Sequence, residues 1–364
     1  MRVGFIGWRG MVGSVLRQRM IAEGDFAGIQ PVFFSTSGAG GPAPDVGQGP
    51  AVLENANDLA VLASMDAIVT CQGGDYTQAT YGPLRAAGWS GYWIDAASTL
   101  RMADDTIIIL DPVNRQVIDA GLAAGIRTFA GANCTVSVLL MGIVGLFRAG
   151  LVEWISTMTF QAASGAGAAA VQELIAQMAR LGPHFRPGQD VLALDAAVAA
   201  ELADQSMPTD ALGVPLAGSA IPWIDKAVEG GRTREEWKGL AETNKILALD
   251  PPVPVDGLCV RIGALRSHAH AATIKLTRAV PMDELEHIIT SAHPWVERVP
   301  NTPEATRRLL TPAATAGGLQ VRVGRLHTLA MGPEYLTAFI VGDQLLWGAA
   351  EPLRRMLLIL RGIL

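Results

Sequence analysis

Two short stretches carry side chains able to do covalent chemistry near neutral pH: GANCTV at residues 131–136, with Cys134, and SHAH at 267–270, with His268 and His270. A cysteine nucleophile needs a base, and histidine is the usual one. Free cysteine is also among the most buried residue types, so a core position is the commoner fate. Cys134 departs from that fate. It follows Asn133, its neighbours are small and polar, and it opens an apolar run with helical character, where the helix dipole favours thiolate over thiol. Cys71 in AIVTCQGG and Cys259 in GLCVRIG lie inside strand-like runs and read as core. If SHAH is extended, His268 and His270 point the same way, because side chains alternate along a strand. Such an H-x-H pair can hold zinc, but no third ligand stands nearby, so no metal is expected. His184, His287, His293 and His327 fall in helix or loop contexts and read as solvated.

A second chemical feature is GFIGWRGMVG near the start, with Gly7, Gly10 and Gly13 spaced G-x-x-G-x-x-G. Bare backbone N–H groups between a strand and a helix suit a phosphate, which side chains would obstruct. The spacing differs from the usual G-x-G-x-x-G, so the strand–turn–helix context carries the assignment. A dinucleotide fold expects Asp or Glu about 20 residues on, bonding the ribose 2′-hydroxyl of NAD. Here the stretch reads FFSTS, without an acid. Ser35, Thr36 and Ser37 can donate to a 2′-phosphate and Arg9 can add positive charge, so NADP is favoured over NAD.

The elements that must position these residues divide the chain in two. A length of 364 residues is long for a single core. Apolar runs at Val3–Ile6, Pro31–Ser35, Ala67–Cys71, Tyr92–Ile94 and Ile107–Leu110 alternate with helical stretches, the first ending near Ile21. That βαβ rhythm predicts a Rossmann-like parallel sheet covered on both faces. SGAGGPAPDVGQGP is a loop by composition. After about Glu153, the long candidates ISTMTFQAA, CVRIGAL and HAATIKLT predict an α+β domain with a largely antiparallel sheet. The segment from about Gly182 to Asp210 is the least readable. DQLLWGAAEPLRRMLLIL reads as a helix with a proline-marked step that returns to the first domain. The expected division is 1–133 plus about 344–364 for the nucleotide, and about 134–343 for catalysis and dimerisation.

Composition narrows the partners. A net charge of −6 disfavours nucleic acid or an anionic membrane. Three scattered cysteines form no disulfide framework, and no signal peptide is evident, so a cytoplasmic location is expected. Thr128–Phe147 and Trp154–Gln172 carry no charge and have about the length of a membrane span. Both are interrupted by polar residues and glycines and read as interior elements.

The blocks GFIGWRGMVGSVL, VTCQGGDYT, WIDAASTLRM, GANCTVS, QAASGAGA, EEWKG, CVRIGALRSHA and GDQLLWGAAEPLRRM together resemble the aspartate-semialdehyde dehydrogenase family, in the branch common in Gram-negative bacteria. The resemblance covers nearly the whole chain and weakens between about Gly182 and Asp210. It implies reversible, NADP-dependent reductive dephosphorylation of aspartyl 4-phosphate to aspartate semialdehyde, with inorganic phosphate released, on the route to lysine, methionine and threonine. It further implies a homodimer.

On this resemblance Cys134 is the nucleophile, His268 the acid/base and Gln161 the group orienting the acyl intermediate. Arg101 and Lys238 match phosphate-site positions, and Asn133 lies beside the nucleophile at that site. Glu235 matches the residue facing the substrate amine, and Arg261 the clamp on its α-carboxylate. Gly7, Arg9, Gly10, Met11, Val12, Gly13, Thr36, Ser37, Gln72, Ser164, Gly165, Ala166, Gly167, Ala168 and Gln344 fall at cofactor-contact positions. The chemistry is coherent: a substrate with one cation and two anionic groups calls for one acid and several bases, including arginine for bidentate carboxylate binding.

Beside the expected base, Ala269 stands where the family often has serine, and His270 where it often has glutamine. His270 could therefore share the titration of His268. Singly, most of these residues have blander readings: Glu235 and Lys238 in REEWK would make an ordinary i,i+3 pair on a helix. Two rival functions remain: N-acetyl-γ-glutamyl-phosphate reductase, whose acylated substrate amine has no use for Glu235, and a non-catalytic NADP sensor, which has no use for the full catalytic set.

Overall fold

The computed structural model describes residues 1–364. Its first sheet contains β1 (Arg2–Ile6), β2 (Gln30–Ser35), β3 (Glu54–Asn55), β4 (Ala67–Thr70), β5 (Tyr92–Asp95), β6 (Thr106–Ile109) and β7 (Thr128–Gly131). Their order is β3-β2-β1-β4-β5-β7-β6, and every pairing is parallel. Parallel strands joined by helical crossovers are buried on both faces, which explains their unbroken apolar runs. Alternation sends Val3, Phe5 and Val69 to one face, against Leu16 and Met20 of the helix Met11–Ala22. Ile6, Phe34 and Ile68 go to the other, against Tyr76 and Leu84 of the helix Gly74–Ala86. The doubly covered, Rossmann-like sheet matches the βαβ expectation.

The second sheet contains β8 (Val152–Gln161), β9 (Ala220–Ile221), β10 (Val255–Ile262), β11 (His268–Leu276), β12 (Val296–Arg298), β13 (Val321–Thr328) and β14 (Tyr335–Gly342). Its order is β12-β13-β14-β11-β8-β10-β9. The pairings β8–β10 and β12–β13 are parallel and the rest antiparallel, so the sheet is largely antiparallel as expected. One face packs on the helix Cys134–Arg148, buried from Thr135 to Leu146. The opposite face leaves Trp154, Met158, Phe160 and Phe339 half-buried and Leu258 exposed.

The two charge-free stretches resolve into β7 with that buried helix, and into β8 with the turn Ala163–Ala166 and the start of the helix Ala168–Leu181. No helix is long and apolar enough to cross a membrane. Residues 346–360 form a wide turn, Leu346–Ala350, then the helix Glu351–Leu360. Leu353, Met356 and Leu357 join the core beside β1 and β4. Arg354 is buried with Asp25 and Glu351, which ties this helix to the loop before β2. The unreadable segment holds the helix Val191–Leu202, none of whose residues is buried.

Two histidine expectations need correction. His293 is buried, with Nε2 2.8 Å from the Met141 carbonyl, because the turn after the helix Met282–Thr290 packs onto the buried helix. His327 lies in β13 rather than in a helix or loop.

Candidate active site

The carboxyl ends of the first sheet converge on two neighbouring clefts, the place where an open α/β sheet binds ligands. The smaller, of about 340 Å³, is lined by Gly7, Arg9, Gly10, Ser35, Thr36, Ser37 and Gln72, with Trp8, Phe34 and Cys71. Gly7 has φ +73°, and a Cβ there would lie 2.4 Å from the Cys71 carbonyl carbon. Gly13 faces inward: its Cβ would meet the Gly7 carbonyl at 2.3 Å, so it lets the helix Met11–Ala22 approach the loop. The Arg9 guanidinium lies over the Trp8 ring, 4.7 Å from its centre. Ser35 Oγ accepts from the amides of Ser37 and Gly38, which shapes the loop after β2 and leaves Thr36 and Ser37 facing the cleft. No carboxylate lines it.

The larger cleft, of about 430 Å³, collects residues from both sheets: Arg101, Asn133, Cys134, Gln161, Glu235, Lys238 and Arg261, with Val12, Ser164, Gly165, Ala166 and Gln344. Thirteen of the expected cofactor-side residues thus divide between two clefts, a helix start and a packing glycine, and Gly167 and Ala168 begin the helix after the Ala163–Ala166 turn. Met11 is the first residue of its helix and lines neither cleft. Gln344 donates to Ser164 Oγ and accepts from the Ser267 amide at 2.7 Å, clamping the loop before His268.

Cys134 is the first residue of its helix, and Asn133 is the cap: its Oδ1 accepts from the amides of Thr135 and Val136 at 2.9 and 3.1 Å. Register places the partners. Gln161 ends β8, Arg261 lies opposite it on the parallel β10, and His268 starts the antiparallel β11. All three therefore meet at one end of the second sheet. Cys134 Sγ lies 3.3 Å from His268 Nε2. The Ala162 amide donates to His268 Nδ1 at 3.1 Å, and the Ser267 carbonyl favours a proton on the ring. With Nδ1 accepting from that amide, the neutral ring carries its proton on Nε2, facing the sulfur.

Electrostatics overturn one sequence expectation. Burial, with Glu235 adding to it, pushes the Cys134 thiol up to about 12, against the opposing pull of Arg261, Lys238 and Arg101. The helix end alone does not leave a thiolate. Burial, reinforced by Arg261 and His270, holds His268 well below the usual imidazole range. The ligand-free pair is therefore thiol and neutral imidazole.

The charged residues are held by one another. Burial would raise the Glu235 pKa, but Lys238 at 2.9 Å, together with Asn133 Nδ2 at 3.0 Å, brings it below the ordinary carboxylate range. Gln161 Nε2 also donates to Glu235, at 3.3 Å. Burial opposes the charge on Lys238, yet Glu235 and Asp225 raise its pKa. Arg101 pairs with Glu242 at 3.0 Å and donates to the Gly131 carbonyl at 2.6 Å. Arg261 donates to the Ala162 carbonyl at 2.7 Å, and its burial lowers its pKa.

His270 does not face the sulfur. Its Nε2 lies 3.0 Å from the Thr135 carbonyl and its Nδ1 3.0 Å from Thr157 Oγ1, and burial takes its pKa down to about 4. Both nitrogens are satisfied in the neutral ring, so it braces the first turn of the Cys134 helix.

Sequence reasoning missed Glu242 and Asp225, the partners of Arg101 and Lys238, and Gly348. A Cβ on Gly348 would sit 2.6 Å from the Cys134 Cα. The only sequence signal for Gly348 was its place in the matched block WGAAEP.

Comparison with known proteins agrees with this geometry. The chain matches the family models "Semialdehyde dehydrogenase, NAD binding domain" over residues 2–121 and "Semialdehyde dehydrogenase, dimerisation domain" over 143–347. It is similar to the aspartate semialdehyde dehydrogenase of Francisella tularensis, at 44% identity over 99% of this chain and 100% of that one, with TM-score 0.95. Two more distant structures share the fold. Aspartate semialdehyde dehydrogenase II of Vibrio cholerae, complexed with ASA, is 23% identical over 98% of both chains with TM-score 0.78. The Candida albicans enzyme with NADP is 15% identical, over 100% of this chain and 99% of that one, with TM-score 0.64. Matched across both domains and along its full length, the chain belongs to the aspartate-semialdehyde dehydrogenase family.

Proposed function

We propose that this protein catalyses the reversible, NADP-dependent reductive dephosphorylation of L-aspartyl 4-phosphate to L-aspartate 4-semialdehyde, through a thioester on Cys134. The observation that carries this reading is the 3.3 Å approach of Cys134 Sγ to His268 Nε2 within a cleft that also holds two acids, Asp225 and Glu235, and three bases. A substrate with an ammonium, a carboxylate and an acyl phosphate has a counterpart for each group: Glu235, Arg261, and Arg101 with Lys238.

The residues present fit a dinucleotide. The glycine loop lies close to the Cys71–Gln72 main chain, which a Cβ at Gly7 would strike, and leaves its own backbone bare toward the cleft, while Arg9, Thr36 and Ser37 with no carboxylate suit a 2′-phosphate. Gly10, Gln72, Val12, Ser164–Ala166 and Gln344 continue the contact surface toward Cys134. When bound, NADPH would supply the hydride.

His268 can take the thiol proton at Nε2 as the sulfur attacks the acyl carbon once the neutral ring carries its own proton on Nδ1 instead, giving up the bond from the Ala162 amide, so no free thiolate has to persist in the buried site. The C–O bond to phosphate breaks, and Arg101 and Lys238 take the departing dianion. Gln161 lies where it can orient the thioester carbonyl. His268 then holds the proton that the hemithioacetal oxygen exchanges as the C–S bond breaks and the aldehyde leaves.

The proposed division is 1–133 with about 344–364 for the nucleotide and about 134–343 for catalysis. The half-exposed apolar face around Trp154, Met158 and Leu258 supports a homodimer through the second sheet. The unpaired Cys71, Cys134 and Cys259 fit a reducing cytoplasm. The test is phosphate-dependent NADPH formation from aspartate semialdehyde, abolished in Cys134→Ala and absent with N-acetylglutamate semialdehyde. Turnover retained in Cys134→Ala would sink the mechanism; preference for the acetylated substrate would sink the specificity.

A further inference from the structure

A third cleft, of about 480 Å³, opens behind the phosphate-side cations, and the chemistry above makes no use of it. It shares Ser98, Arg101 and Lys238 with the catalytic cleft, so those three residues form the wall between the two. On its outer side the cleft adds Arg232 and Arg234.

The cations on the two sides of this wall are partnered differently. Arg101 is held by Glu242, and Lys238 by Glu235 and Asp225. Arg232 reaches only Asp256, at 4.0 Å, and Arg234 acts on Asp225 without a direct ion pair. Glu229 is the one other carboxylate lining this side besides Glu242. Two weakly partnered guanidinium groups thus face a concave surface that leads to the two cations expected to grip phosphate. A cleft with that charge balance focuses field lines and raises the local concentration of small anions.

The reaction supplies a need for it. If phosphate is expelled while the cofactor is in place, it shares the catalytic cleft with the expected cofactor-side residues Val12 and Gln344. A small dianion leaving past those residues would have to pass the bound cofactor. Leaving across Arg101 and Lys238 requires no such passage.

We propose that the Arg232–Arg234 cleft is a port for inorganic phosphate, an outer anion subsite that receives the product in the reductive direction and feeds the thioester in the oxidative one. This inference rests on the proposed reaction. Arg232 and Arg234 are half-exposed and outside the buried capping contacts of Thr233 and Glu236, so their variants should fold.

Steady-state kinetics in the oxidative direction test it. In R232A/R234A, the KM for inorganic phosphate should rise about tenfold, the loss expected for one or two charge-assisted contacts. The KM for aldehyde and for NADP should stay unchanged, and R232K/R234K should recover most of the phosphate KM. An unchanged phosphate KM overturns the port, as does an aldehyde KM that rises in step. If the native protein shows no phosphate-dependent turnover, the reaction itself falls. The port then stands or falls on inorganic phosphate binding, followed by phosphorus NMR line broadening: weaker binding in R232A/R234A supports it, and equal binding overturns it.

Discussion

The two clefts at the carboxyl edge of the first sheet are built from different materials. Around Cys134 the lining includes buried ionisable side chains held by partners: Glu235 by Lys238, Asn133 and Gln161, Arg101 by Glu242, and Arg261 by the Ala162 carbonyl. Around the glycine loop it is backbone, hydroxyls and a single arginine over an indole ring. A buried charge that loses its partner is left uncompensated, so single substitutions in the first cleft propagate. In the second cleft, shape comes from the main chain, and most side-chain losses should be graded.

The largest effect expected is from Cys134→Ala, with turnover falling by on the order of 10⁴-fold or more while cofactor binding is kept. Fluorescence titration with NADPH and steady-state rates check both halves. His268→Gln follows, with a loss of about 10²–10⁴-fold in kcat. Glu242→Gln should cost about 3–5 kcal/mol of stability, because Arg101 is left buried without its carboxylate. Urea unfolding measures this, and a cost below about 1 kcal/mol would mean that the pair is solvated like a surface bridge. In the other cleft, Arg9→Ala should raise the KM for NADP about tenfold at unchanged kcat and leave the KM for NAD unaltered, if Arg9 contacts the 2′-phosphate. Smallest of all, His270→Gln should lower kcat only a few-fold, since an amide can bridge Thr135 and Thr157 as the ring does. Losses comparable to those of His268→Gln would assign His270 to the proton path.

The titration of Cys134 sharpens the same contrast. A thiol raised to about 12 is protonated at neutral pH, and its thiolate fraction grows as pH rises. Alkylation of Cys134 by iodoacetamide in the ligand-free protein should therefore increase steadily from about pH 6 to 9, roughly tenfold per unit. A rate that is flat across this window would reveal a standing thiolate–imidazolium pair instead.

Much of the architecture was legible because burial writes itself into sequence. The parallel strands of the first sheet are apolar on both faces, so the runs at Ala67 and Tyr92 stood out. Cys134 was legible for a similar reason, since a helix start has a local signature, whereas His268 was separated from His270 only by the family resemblance. Partner choice has no such signature. Nothing near Glu242 in AETNK marks it as the mate of Arg101, 141 residues away, since that pairing exists only after the two domains meet. The thiol's titration was misjudged because the helix end is a local influence, whereas the burial that outweighs it is assembled from distant segments. His293 looked solvated for the same reason, as its partner carbonyl at Met141 belongs to a helix 152 residues earlier.

Gly348 has a mechanical consequence. Its bare Cα sits against the Cys134 backbone, and the turn that carries it runs directly into the helix bound to the first sheet through Leu353 and Met356. The sulfur and the first sheet are thereby gauged against each other through the close approach of Gly348 to the Cys134 Cα, Cβ and carbonyl, with no side chain at 348 to act as a spring. A methyl group at 348 would work as a shim, displacing Cys134 by a fraction of an ångström while leaving the other side chains of the cleft in place. In that setting, the position of the sulfur against the first sheet is a tolerance set by one missing atom.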